Sequence, residues 1–263
     1  MITHCGKHTL TYGKPVIMGI VNVSPDSFSG DGLQCVNEAL KRAYDLIDKG
    51  ADIIDVGGES TRPGSARISP EEEAMRVVPL IYQLSHTSDV IISIDTMKTH
   101  VADVAIDAGA SMVNDMNGLR TPGMAELISS KNVPVVIGHM HGTPETMQNS
   151  PMTGDFKKKI IDFLTERKKI AEETGIKDII TDPGIGFGKT PEQNMEICRN
   201  SGDYSLGGPV LIGASRKRFL SEYYPDMDSD EATAEICRIA VKSGADIVRV
   251  HDVEKTAAAL RYS

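Results

Sequence analysis

The chain has 263 residues, enough for two small domains or for one barrel of ordinary size around a single core. With 28 basic against 37 acidic residues its formal charge is −9, which argues against a polyanionic partner such as nucleic acid but leaves room for a local basic cluster that holds a small anion. Tryptophan is absent and aromatics are 5 %, so broad stacking surfaces for bases or sugars are excluded.

The opening segment, Met1-Ile2-Thr3-His4-Cys5-Gly6, has no charged region followed by an apolar stretch, and no later run is long and apolar enough to span a bilayer. Neither export nor a membrane partner is expected, and Cys5, Cys35, Cys198 and Cys237, scattered without a C-x-x-C pair, read as reduced thiols of a cytoplasmic protein. His4 to Thr11, with Gly6-Lys7 near its centre, reads as a hairpin placed to plug the bottom of a barrel. From residue 15 onward short β-branched runs alternate with longer helical patterns, giving eight βα units. The strands are predicted at Val16–Val21, Ile53–Val56, Ile91–Asp95, Met112–Asp115, Val135–Gly138, Ile179–Asp182, Val210–Gly213 and Ile247–Val250, apolar enough for a sheet buried on both faces. Helices are expected at Val36–Lys49, Pro70–Leu84, Phe156–Thr174 and Glu231–Ser243, among others. Gly50-Ala51-Asp52, Gly109-Ala110-Ser111 and Gly244-Ala245-Asp246 form a weak internal repeat in which glycine supplies a left-handed turn before the next strand. No linker divides the chain, so residues 1–263 are expected to form one domain. Eight βα units suit a doubly wound open sheet as well as a barrel, but their even spacing favours a single α/β (β/α)8 TIM barrel with an N-terminal β-hairpin.

In a barrel the active face lies at the C-terminal ends of the strands. Here those ends carry Asn22, Glu59-Ser60-Thr61-Arg62, Asp95-Thr96, Asn114-Asp115, Asp182-Pro183-Gly184, Ser215-Arg216-Lys217 and Arg249-Val250-His251-Asp252. Any one of these serves equally well as a helix cap or turn former, but seven polar strand ends together can match the donors and acceptors of a flat heterocycle such as a pterin or purine. Arg216, Lys217, Arg249 and His251 fall in the region after strands 7 and 8 where barrels commonly hold phosphate, which implies an anionic substrate group.

Gly188-Lys189-Thr190 looks like the end of a phosphate-binding P-loop, but Pro183 stands where its first glycine is required. Gly184-Ile185-Gly186-Phe187-Gly188 is not a dinucleotide fingerprint either and reads as a flexible loop on the active face. His139-Met140-His141 has metal-like spacing, but the remaining histidines are too dispersed to complete a zinc site.

Met18-Gly19-Ile20-Val21-Asn22-Val23-Ser24-Pro25-Asp26-Ser27-Phe28-Ser29 and Asp55-Val56-Gly57-Gly58-Glu59-Ser60-Thr61-Arg62-Pro63-Gly64 resemble the two signature loops of the dihydropteroate synthases. The resemblance continues through Ser93–Thr96, Val113–Asp115, Asp182–Lys189, Ser215–Lys217 and Arg249–Val253, and so covers nearly the whole chain. It implies a transferase that condenses 6-hydroxymethyl-7,8-dihydropterin pyrophosphate with 4-aminobenzoate, giving 7,8-dihydropteroate and pyrophosphate in folate biosynthesis. It also implies Mg²⁺ as cofactor and a homodimer. Carried over by position, Asp95, Asn114, Asp182 and Lys217 would bind the pterin ring, and Arg62, Arg249 and His251 the pyrophosphate, with Asn22 a ligand to Mg²⁺. Thr61, Pro63 and Ser215 would border the aminobenzoate site, closed by loops carrying Phe28 and Arg62, with Phe187 against the same substrate. The catalytic burden falls on Asp95, Lys217, Arg249 and His251. Departure of pyrophosphate leaves cationic character on the pterin methylene, so an ordered, dissociative displacement without a covalent enzyme intermediate is expected.

The sequence departs from the family pattern at Gly30-Asp31 and at His141, which leaves open a modified aminobenzoate as second substrate. A pterin-dependent methyltransferase passing methyl groups to a corrinoid protein is the main rival, and a pterin-binding carrier without catalysis another. Neither requires Arg62, Arg249 and His251 as an anion clamp.

Overall fold

The computed structural model describes residues 1–23, 32–59, 67–143, 147 and 151–261. The chain opens with an antiparallel hairpin, β1 (Ile2–Cys5) and β2 (His8–Thr11), in which Cys5 faces His8 across Gly6 at φ 60°, the left-handed conformation that glycine adopts without steric cost. There follow β3 (Val16–Asn22), α1 (Gly32–Asp48), β4 (Ile53–Gly57), α2 (Pro70–Thr87), β5 (Ile91–Asp95), α3 (Thr99–Asp107), β6 (Met112–Asp115), α4 (Met124–Lys131) and β7 (Val135–Gly138). The second half holds α5 (Phe156–Thr174), β8 (Ile179–Asp182), α6 (Pro191–Arg199), β9 (Leu211–Ile212), α7 (Leu220–Tyr223), α8 (Ser229–Lys242), β10 (Ile247–Val250) and α9 (Val253–Leu260). Strands β3 to β10 pair in parallel in the order β8-β7-β6-β5-β4-β3-β10-β9, and a parallel bridge from Thr181 to Val210 joins the two outer strands into a (β/α)8 barrel.

All eight predicted barrel strands form, the seventh in shortened form: β9 spans Leu211–Ile212 rather than Val210–Gly213. Pro209 has no N–H to give and its carbonyl accepts from Thr181 at 3.0 Å, while the Val210 N–H goes to the Asp246 carboxylate at 2.9 Å. Helix α8 begins at Ser229 rather than Glu231 because Asp228 caps it, accepting from the N–H groups of Asp230 and Glu231. The Gly-Ala-Asp repeat starts strands. Gly50 and Gly244, both at φ 100°, end their helices, and Asp52 and Asp246 then accept the N–H of Ile17 (2.8 Å) and Val210 (2.9 Å) on the neighbouring strand.

Alternation along the strands sorts their side chains into two regions. Outward residues such as Ile54, Val56, Ile92, Ile94, Val113, Ile137, Val248 and Val250 pack against Leu46, Leu80, Leu84, Ile128, Leu164 and Ile236 of the surrounding helices. Inward, a separate cluster of Val16, Met18, Ile53, Ile91, Met112, Val136, Ile180, Leu211 and Ile247 fills the lower barrel together with Cys5 and Leu10 of the hairpin. Each such side chain gains about 1.5–3 kcal/mol on burial, enough to hold the hairpin against the lower opening. One step of two residues further along, roughly 6.6 Å, the inward positions become Asp55, Ser93, Asn114, Asp182 and Arg249. Among the described residues no helix is long and apolar enough to cross a membrane.

Candidate active site at the upper rim of the barrel

The polar tier rests directly on the apolar floor, so its charges are desolvated from below and must satisfy one another. Arg249 on β10 reaches across the lumen, donating from Nε to Asp55 Oδ2 and from Nη2 to Asp95 Oδ2, both at 2.5 Å. Asn114 Nδ2 donates to the same Asp55 oxygen at 3.0 Å. Burial alone would lower the basicity of Arg249, but the carboxylates of Asp55 and Asp95 outweigh it and hold the guanidinium above its ordinary pKa. Asp95 is pushed the other way: burial raises its pKa, Arg249 opposes that, and the like charge of Asp55 adds to it. Three buried polar atoms of this tier, Asp55 Oδ1, Ser93 Oγ and Asn114 Oδ1, have no partner within the protein, which is costly unless a ligand supplies one.

Asp182 ends β8 and is 4 % exposed, and its Oδ1 accepts the Gly184 N–H at 2.7 Å. Burial raises its pKa, and that hydrogen bond and the cations Lys189, Arg249 and Lys217 oppose the rise only in part. The loop after it is pinned rather than loose, contrary to the expectation from its glycines. Gly186 N–H donates to Asn194 Oδ1 at 2.8 Å, Phe187 N–H to the Gly184 carbonyl at 3.2 Å, and Lys189 Nζ reaches the carbonyls of Gly184 (2.7 Å) and Phe187 (3.2 Å). Lys189 thus points into the fold and not toward a phosphate. His139 does not look like a metal ligand either, because its Nδ1 lies 3.0 Å from Lys189 Nζ, and burial followed by that cation drives its pKa down to about 2. Phe187, with Met116, Met140 and Met147, forms an apolar wall, and Lys217 Nζ sits 4.4 Å from the centre of the Phe187 ring.

At the end of β10 His251 is held by Ser215, whose Oγ lies 2.9 Å from Nδ1 and accepts the His251 N–H at 3.1 Å, while Arg42 donates to the His251 carbonyl. Arg216 does not join this group. Its backbone turns at φ 56°, and its guanidinium makes a two-pronged pair with Asp230 of α8, from Nε at 2.8 Å and Nη2 at 2.9 Å. Asp115 also turns away from the lumen and accepts the N–H groups of Asn117 and Leu119, both at 2.8 Å.

Gly57 ends β4 beside β3 and β5. A Cβ placed on it would lie 3.5 Å from Asn22 Oδ1, 3.6 Å from Asp95 Cβ and 3.8 Å from Asp95 Oδ2, so Asn22 and the Asp95 carboxylate, whose Oδ2 also takes Arg249 Nη2, face the same position beside the glycine. No group of three or more His, Cys, Asp or Glu that could hold a metal occurs among the described residues. Two protein oxygens suit Mg²⁺, which keeps most of its shell as water or substrate phosphate, and do not suit zinc.

The structure therefore brings together Asn22, Asp95, Asn114, Asp182, Phe187, Ser215, Lys217, Arg249 and His251 around one rim. Phe28, Thr61, Arg62 and Pro63 lie outside the described residues. The flanks of the 60–66 segment are tied to each other: Glu59 accepts the Ile68 N–H at 3.1 Å, and Lys98 Nζ reaches the Ile68 carbonyl at 2.9 Å, Glu59 at 3.2 Å and Glu73 at 2.6 Å. Sequence reasoning missed Asp55, which stands in an apolar strand, and Lys189. The signal for Asp55 was available, since a carboxylate two positions before Gly57 shares its inward register.

A family model described as "Pterin binding enzyme" matches residues 18–251. A dihydropteroate synthase of Bacillus subtilis is 43 % identical over 97 % of this chain and 90 % of its own length. The structure of Xanthomonas albilineans dihydropteroate synthase with 4-aminobenzoic acid superposes with a TM-score of 0.92 at 38 % identity, covering 99 % of this chain and 96 % of that one. The same enzyme in complex with 7,8-dihydropteroate gives a TM-score of 0.89 at 36 % identity, covering 100 % and 97 %.

Proposed function

The chain belongs to the dihydropteroate synthases, a family of pterin-binding enzymes, and we infer from that premise that it condenses 6-hydroxymethyl-7,8-dihydropterin pyrophosphate with 4-aminobenzoate, yielding 7,8-dihydropteroate and pyrophosphate in folate biosynthesis. The observation that carries this reading is the polar tier on its apolar floor, with Asp55 Oδ1, Ser93 Oγ and Asn114 Oδ1 buried and unmatched within the protein. A flat heterocycle rich in donors and acceptors completes them, and a ligand without such groups leaves them unpaired.

Asp182, Asn114, Asp95 and Lys217 bind the pterin ring, Asp182 reading its amino-pyrimidine edge. Arg249, His251 and Arg62 hold the pyrophosphate. Asn22, with Asp95 beside it across Gly57, offers the oxygens that would hold Mg²⁺, which when bound neutralises charge on the leaving pyrophosphate. The C–O bond to pyrophosphate breaks, its electron pair leaving with the phosphate oxygen. The aryl amine then forms the C–N bond and releases a proton. The methylene carries positive charge in between, so the carboxylate of Asp95 lowers the barrier electrostatically in its ionised form, which Arg249 at 2.5 Å favours while burial, the larger effect, raises its pKa to about 7. No side-chain nucleophile is involved. Ser215 borders the aminobenzoate and Phe187 packs against it; the family resemblance adds Thr61, Pro63, Phe28 and Arg62, which lie outside the described residues, and exclusion of water keeps it from capturing the cation.

The reading includes one domain over residues 1–263, working as a homodimer in the cytoplasm, consistent with the buried thiols of Cys5, Cys198 and Cys237, which form no disulfide. The test is pyrophosphate release from 6-hydroxymethyl-7,8-dihydropterin pyrophosphate and Mg²⁺, with and without 4-aminobenzoate, the organic product being weighed by mass spectrometry. Dihydropteroate formed only with both substrates is expected. Tight pterin binding without that product would replace the reading by a modified aminobenzoate or by methyl transfer.

A further inference from the structure

Lys189 has no part in the chemistry above, yet at 6 % exposure it is the one buried lysine or arginine among the described residues. An ammonium has three hydrogens, and Lys189 Nζ meets three acceptors: the Gly184 carbonyl at 2.7 Å, His139 Nδ1 at 3.0 Å and the Phe187 carbonyl at 3.2 Å, with the His139 carbonyl behind them at 3.5 Å. Burial keeps His139 neutral, which lets Nδ1 accept. Gly184 links this cation to Asp182, since its N–H donates to Asp182 Oδ1 at 2.7 Å and its carbonyl accepts from Lys189. Only glycine serves there: φ is +74°, and a Cβ would fall 1.8 Å from the His139 carbonyl oxygen. The charged groups facing Asp182 are Lys189 from its own loop, Arg249 from β10 and Lys217 from the segment after β9, and Arg249 is already bonded to Asp55 and Asp95.

We propose that Lys189 is a positioning residue for pterin recognition, fixing the orientation of Asp182 through Gly184 and, as its buried counter-cation, keeping that carboxylate ionised when the amino-pyrimidine edge arrives. The proposal rests on the reading that Asp182 contacts the pterin. Burial lowers the pKa of Lys189 to about 7 and Asp182 opposes that, so the two charges support each other. Pterin affinity should fall as pH drops through the pKa of Asp182. Removing the cation raises that pKa and moves the fall to higher pH.

The experiment measures binding of 6-hydroxymethylpterin across the acid range by calorimetry, using the full chain and its Lys189→Met, Lys189→Gln and Asp182→Asn variants, each checked for folding by circular dichroism. Lys189→Met should bind about tenfold more weakly at neutral pH, with the midpoint of the acid limb raised by about one pH unit and the KM for 4-aminobenzoate unchanged. Lys189→Gln keeps two donors for the carbonyls but no charge, so it should show the same shift and carries the test if the Met variant does not fold. In the wild type, nitrogen NMR of the Lys189 side chain at about pH 6 should show a bonded ammonium, and a neutral amine there overturns the counter-cation. Weaker binding with an unmoved acid limb reveals a loop staple only and overturns the proposal, as does wild-type binding by both Lys189 variants while Asp182→Asn is impaired. Wild-type binding by Asp182→Asn removes the pterin reading of Asp182, and the proposal falls with it.

Discussion

Asp55 offers the sharpest test of how the polar tier is held, because its two oxygens are treated so differently. Oδ2 takes Arg249 Nε at 2.5 Å and Asn114 Nδ2 at 3.0 Å, whereas Oδ1 has no partner. In Asp55→Asn the amide oxygen can take the place of Oδ2 and the NH2 group that of Oδ1, so both hydrogen bonds survive and only the charge is lost. A charge-assisted bond is worth about 1.5–3 kcal/mol against about 0.5–1.5 for a neutral one, so the expected loss is about 1–2 kcal/mol. Asp55→Ala removes the bonds as well and leaves the largely enclosed guanidinium of Arg249, 20 % exposed, with Asp95 alone, a situation that costs up to about 3–5 kcal/mol. At roughly 2–4 °C per kcal/mol for a chain of this size, Tm should drop by roughly 2–8 °C for the first variant and roughly 6–20 °C for the second. Urea unfolding of Asp55→Ala, Arg249→Met and the double variant then gives the coupling, expected at about 2 kcal/mol. Additivity within about 0.5 kcal/mol, or Asp55→Ala as stable as the parent, would refute the account.

Lys217→Ala should raise the KM for the pterin pyrophosphate and lower turnover by at least about tenfold, the loss of one charged contact, and unchanged steady-state kinetics for both substrates would remove its role. Asn22→Ala should increase the Mg²⁺ concentration needed for half-maximal activity while leaving pterin affinity intact, and an unmoved Mg²⁺ titration would remove Asn22 from the proposed metal site. Asp115 provides the pH test of stability. Burial raises its pKa to about 6 despite the N–H groups of Leu119 and Asn117. A carboxyl whose folded pKa is raised stabilises fully below its unfolded value near 3.8 and loses that contribution as pH rises through about 6. Denaturant midpoints should therefore show a downward component between those values that is absent in Asp115→Asn, and identical pH profiles would contradict it.

The strands and their neighbours were legible because fully buried parallel strands leave long apolar runs, and the polar residue closing each run marks its upper end. Asp95, Asn114 and Asp182 followed from that position. Arg216 and Lys217, two adjacent cations after β9, are alike in sequence, and only the positive φ of Arg216 and the capped start of α8 at Asp228 send one to Asp230. Lys189 was set aside with the P-loop it failed to complete. Its surroundings come from β7 and from carbonyls of its own loop, and backbone carbonyls carry no residue identity that a sequence could display. The glycines of 184–188 suggested looseness, but each sits at positive φ within a hydrogen-bonded turn, where the absence of a side chain allows tight closure.

The N-terminal hairpin seals the foot of the barrel with Cys5 and Leu10. The lumen is thereby a cul-de-sac, and traffic through it obeys the rule of any cul-de-sac. On the proposed reading, a reactant lying on Asp182 and Asn114 would have to be parked before the one above it, and the coupled molecule would back out past the rim by which both halves came in. The sequence of arrivals and departures would in this sense be imposed by eleven residues that never approach the chemistry.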